Sequence, residues 1–78
     1  MVISEEARSQ LRSLPKPIRT SIGRRLEMLQ DGLAGDVKKL RALQNKYRLR
    51  VGRHRVLFTL EHSTIFVYAV KRRKEAYE

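Results

Sequence analysis

Seventy-eight residues with a formal net charge of +10, from 18 Lys and Arg against 8 Asp and Glu, describe one small basic domain. The lack of cysteine excludes a disulfide framework and a thiolate metal cluster, and two histidines far from any ligand spacing argue against structural zinc. No run approaches the ~18–20 apolar residues that span a bilayer, and Glu5 and Glu6 stand where a secretory signal would be basic, so a cytoplasmic protein without a membrane partner is expected.

The first predicted element is a helix. Ser4 is its N-cap, Glu5 and Glu6 favour the positive end of its dipole, and Ala7, Leu11 and Leu14 recur at helical spacing. Pro15 stops it by disfavouring the α conformation in the residue before. Pro17 then opens a second helix, where its missing N–H costs little. Ile18, Ile22, Leu26, Leu29 and Leu33 form one apolar stripe along it, expected to be core. The helical hairpin is placed at 4–33.

Gly32, Gly35 and Asp36 mark a loop, and 34–45 is expected to be an irregular connection anchored by Val37, Leu40 and Leu43. From residue 46 the period becomes two. Tyr47, Leu49 and Val51 alternate with Arg48 and Arg50; after a tight turn at Gly52-Arg53, Val56, Phe58 and Leu60 alternate with Arg55, Leu57 and Thr59. A polar loop, Glu61 to Thr64, leads into the apolar run from Ile65 to Val70, which suits a central strand. A basic tail over 71–78 ends the chain. The fold class expected is α+β: a helical hairpin on one face of a curved three-strand antiparallel meander (46–70), with at most a vestigial N-terminal edge strand, all in one domain over 1–78.

Charge is not evenly spread. Residues 1–37 hold six basic and five acidic side chains, whereas 38–78 hold twelve and three. Such an asymmetry points to a polyanion bound by the second half. Arg48 and Arg50 lie ~7 Å apart on one side of a strand, and Arg55 joins them if the hairpin register permits. Lys71, Arg72, Arg73 and Lys74 follow where the last strand exits, with Tyr77 beyond.

Guanidiniums and a phenol in one hollow suit cleavage of RNA, which carries its own nucleophile in the 2′-hydroxyl. The protein must align that group, neutralise charge growing on the phosphate and assist proton transfer. Arginine forks onto two oxygens and stays charged, and tyrosine stacks on a base or orients the hydroxyl. No general base stands out. His54 is expected on the strand face opposite Arg55, solvated beside the turn, and Glu61 and His62 are read as structural.

These residues carry a resemblance. Leu14-Pro15-Lys16-Pro17-Ile18, Val37-Lys38-Lys39-Leu40, the block from Tyr47 to Phe58, and Val70 to Tyr77 are similar to the RelE/ParE toxins, over essentially the whole chain from Ile3. The central Tyr-Arg-x-Arg-Val-Gly block is the most specific part. The resemblance implies a toxin of a type II toxin–antitoxin system, in its RelE-like branch a ribosome-dependent mRNA endoribonuclease that needs no metal or other cofactor. Carried over residue by residue, it implies Arg48, Arg50 and Arg55 on the scissile phosphate, Arg73 at the leaving oxygen and Tyr77 on the nucleotide. Lys46, Arg53, Lys71, Arg72 and Lys74 would be surrounding RNA-binding cations. Implied partners are mRNA in the ribosomal A site, the ribosome and a cognate acidic antitoxin in a hetero-oligomer. Arg48 and Arg50 stand where relatives often have lysine, and Arg72 where many have histidine. Two alternatives remain open: a ParE-like inhibitor of DNA gyrase, and a non-catalytic basic protein that binds RNA or the ribosome.

Overall fold

The computed structural model describes residues 1–32, 36–41 and 45–72. In chain order the elements are β1 (Val2–Ile3), α1 (Glu5–Arg12), α2 (Lys16–Gln30), β2 (Asp36–Arg41), β3 (Lys46–Val51), β4 (His54–Glu61) and β5 (Thr64–Arg72). The strands lie in the order β1-β5-β4-β3-β2, antiparallel except for β1, which runs parallel to β5. The predicted helical hairpin and α+β class are both present. Among the described residues no helix is long and apolar enough to cross a membrane.

Ser4 begins α1 by accepting a hydrogen bond from the Ala7 N–H (3.1 Å) through its side chain. The same residue holds β5: its N–H donates to the Val67 carbonyl (2.9 Å), and its hydroxyl donates to that of Tyr68 (3.3 Å). Gln10, further along α1, accepts from the Val70 N–H at 2.6 Å. One helix end and one side chain thus satisfy backbone groups of β5 at and just beyond the end of its pairing with two-residue β1. Pro15 stands at the N-cap of α2 and Pro17 in its first turn, while Gly32, at φ 87°, takes the left-handed conformation that follows a helix C-terminus.

The core lies between the helices and one sheet face. Ala7, Ile22 and Leu26 meet Leu49, Val51, Val56, Phe58, Ile65, Val67 and Val70 there, with Leu11, Leu14, Ile18, Leu29, Val37 and Tyr47 partly buried around them. Tyr47 and Phe58 stack across β3 and β4, with centroids 5.4 Å apart. Leu33, Gly35 and Leu43 lie outside the described residues.

The sheet departs from the three-strand expectation in two places. The connection assigned to 34–45 contains β2, which pairs with β3 from Asp36 opposite Arg50 to Arg41 opposite Lys46. Half of this edge strand is basic, and a bulge between Lys39 and Arg41 breaks the alternation, so period two is not visible in its sequence. The last strand runs past Val70 to Arg72, taking the first two residues assigned to the tail, because β4 continues opposite them to Arg55 and His54. Strand pairing rests on the backbone and needs no apolar side chain to continue.

Candidate nucleic-acid interface

With the helices on one face, the other face of the sheet carries most of the cations that the sequence singles out. Directly opposed residues share a face, so the strand register arranges this surface in rows. The first row runs Arg50, Arg55, Lys71 across β3, β4 and β5. The second runs Lys38, Arg48, Leu57, Ala69. The third runs Lys46, Thr59, Phe66, Val2, ending on β1.

Arg50, Arg55 and Lys71 therefore stand on three adjacent strands at ~4.8 Å spacing, with Arg48 ~7 Å along from Arg50. All four side chains are half-buried, and the Nε of Arg48 is itself buried. Beneath them Leu57 and Ala69 are each only 3% exposed, although they sit on the face away from the helices. These two residues give the cationic surface a small apolar floor.

Of the sequence-predicted residues, this face brings together Arg48, Arg50, Arg55, Lys46 and Lys71. Arg53 is in the turn between β3 and β4, exposed, after Gly52 at φ 59°. A positive φ at the first central position alone is the signature of a type II′ hairpin turn. Arg72 is turned to the helix side, opposite His54. Arg73, Lys74 and Tyr77 lie outside the described residues.

His54 corrects one expectation. It does face away from Arg55, but it is 9% exposed rather than solvated. The start of α2 covers that corner, where His54, Arg53 and Arg72 line a groove of about 900 Å³ with Leu14, Ile18 and Arg24. The imidazole is thus part of the groove wall.

Sequence reasoning missed Tyr68. Leu57 opposes Ala69 whereas Phe58 opposes Val67, so Tyr68 is the extra residue of a β-bulge. Val67 and Val70 both reach the core, leaving Tyr68 and Ala69 side by side on the open face. The Lys46 ammonium lies 5.6 Å from the centroid of the Tyr68 ring. An unbroken apolar run contains no mark of such a bulge.

Comparison with known proteins places the molecule. The family model for the ParE toxin of the type II toxin–antitoxin system parDE matches residues 1–77. The RelB–RelE antitoxin–toxin complex from Methanococcus jannaschii contains a chain 28% identical to this one, with a TM-score of 0.82 over 99% of this chain and 95% of that. The RelE–RelB complex from Pyrococcus horikoshii gives 27% identity and a TM-score of 0.68 over 95% and 93%. RelBE2 from Mycobacterium tuberculosis gives 25% and 0.73 over 91% and 93%. The isolated Escherichia coli RelE toxin shares the fold, with a TM-score of 0.76 at 19% identity, over 91% of this chain and 80% of that. No curated protein sequence matches the chain. With a family model spanning nearly its whole length and a fold shared with RelE toxins, the chain belongs to the ParE toxin family of type II toxin–antitoxin systems, within the RelE/ParE superfamily.

Proposed function

We propose that this toxin is an endoribonuclease that cuts mRNA in the ribosomal A site, using cationic side chains and no metal. The observation that carries this reading is the row Arg50, Arg55, Lys71 with Arg48 beside it, on a face left open by the helices. In the proposed step the 2′-oxygen attacks phosphorus and gives up its proton while the bond to the 5′-oxygen breaks. That oxygen takes a proton, leaving a 2′,3′-cyclic phosphate and a 5′-hydroxyl. Arg48, Arg50 and Arg55 hold the phosphate and meet the charge that grows on it. Lys46, Arg53, Lys71 and Lys74 guide the strand, Arg73 assists the leaving oxygen, and Tyr77 orients the nucleotide, while Arg72, turned to the helix side, stands outside this path.

The partner that restrains it is an antitoxin, as in the RelB–RelE complexes from Methanococcus jannaschii and Pyrococcus horikoshii, and the net charge of +10 on this chain calls for an acidic one. An acidic segment with apolar residues suits the groove beside α2, where Leu14 and Ile18 lie among Arg24, Arg53 and Arg72.

Translating ribosomes supplied with the purified protein test the nuclease reading. Message should be cut with 5′-hydroxyl ends, and Arg55→Ala should slow cleavage by about 10²-fold, the usual loss when one charge-stabilising donor is removed. Message left intact beside a RelE control that cuts would overturn it. A second reading is supported by the family model, which is that of ParE: the toxin would then poison DNA gyrase, seen as gyrase-dependent DNA breaks with undamaged message.

A further inference from the structure

We propose that Tyr68 and Phe66, edged by Lys46, form a stacking subsite for a base of the strand whose phosphate lies on the arginine row; this rests on the RNA reading above. Three observations meet here. The bulge in β5 puts Tyr68 on the open face without moving Val67 or Val70 from the core. Bulges re-aim a side chain at the cost of ladder pairing, and they recur beside functional sites. This one is pinned, since Ser4 binds the Val67 and Tyr68 carbonyls that flank it.

The second observation is the company the ring keeps. Phe66, two residues back, is half-buried on the same face, in the row that holds Lys46 and Thr59. Lys46 places its ammonium over the Tyr68 ring at 5.6 Å, a cation–π distance. Aromatic rings interleaved with cations are what single-stranded nucleic acid uses: bases stack on the rings and phosphates meet the charges.

Distance is the third. The row of Lys46 lies two rows from that of Arg50, about 13 Å along the strands. A phosphate on Arg50 and Arg55 therefore leaves its neighbouring nucleotide over Leu57, Ala69 and Tyr68, where the floor is apolar. Such a subsite grips bases by their faces, so it sets affinity and position more than sequence.

The chain has no tryptophan, so Tyr68→Trp adds a single indole reporter. A short single-stranded oligoribonucleotide at low salt should quench it, and an abasic ribose-phosphate strand of equal length should bind without quenching. Tyr68→Leu should weaken binding of the base-bearing strand about tenfold or more and leave the abasic strand unaffected, while Tyr68→Phe retains wild-type affinity. The salt dependence of Tyr68→Leu should keep the wild-type slope, because no phosphate contact is lost. Wild-type binding with an unquenched indole, or equal affinity for both strands, overturns the subsite and leaves the RNA reading standing. A wild-type chain that binds neither strand overturns the subsite, and one that also leaves message on translating ribosomes intact overturns both.

Discussion

Arg55 sits between Arg50 and Lys71, one strand away from each. Like charges directly opposed on a sheet destabilise it by roughly 0.2–1 kcal/mol per pair, so the unliganded fold carries a cost that a bound polyanion removes. Arg55→Gln should therefore raise the stability of the free protein by about 0.5–1 kcal/mol in urea unfolding while weakening RNA binding. A variant that loses stability would show that the guanidinium is held by contacts that outweigh the repulsion. A different tension sits at His62 and Ser63, which turn the β4–β5 hairpin with φ of 49° and 65°. Both central residues at positive φ mark a type I′ turn, which favours Asn-Gly. Replacing His62-Ser63 by Asn-Gly should stabilise the domain by about 1 kcal/mol and raise the midpoint of thermal unfolding by about 4–8 °C.

At the scale of elements, α1 and β5 form the joint that positions the open face. The Gln10 side chain caps the Val70 N–H, and this bond is partly buried. Gln10→Ala should leave that donor unsatisfied, costing about 1–3 kcal/mol, with faster hydrogen exchange at Val70 as its local signature. What could be read from sequence follows the same elements. The helical stripe of Ile18, Ile22, Leu26 and Leu29, the Ser4 cap and the alternation of β3 and β4 were legible, because each repeats a period that burial imposes. The strand β2 was not, since its single clean core contact, Val37, and its bulge leave nothing periodic to detect. The site divides likewise. Alternation assigned Arg48 and Arg50 to one face, but Arg55 joins them through the β3–β4 register, Tyr68 depends on one extra residue in β5, and Arg72 on where the register falls after it. Pairing across strands is a tertiary fact, and no local pattern encodes it.

For the whole molecule, the charge of +10 sits mainly in the half that builds the sheet. Polyanion binding should therefore weaken steeply with salt. On single-stranded RNA the slope of log K against log salt should flatten by about 0.7 for each phosphate contact removed, and Arg50→Ala read by salt titration checks this. An unchanged slope would take Arg50 out of the interface. The parallel pairing of Val2 with Phe66 ties the beginning of the chain to its last described strand. Contacts so distant in sequence form late, after the loop between them has closed. During synthesis β5 follows every other described element, so until it emerges and docks between β1 and β4 the three-cation row does not exist.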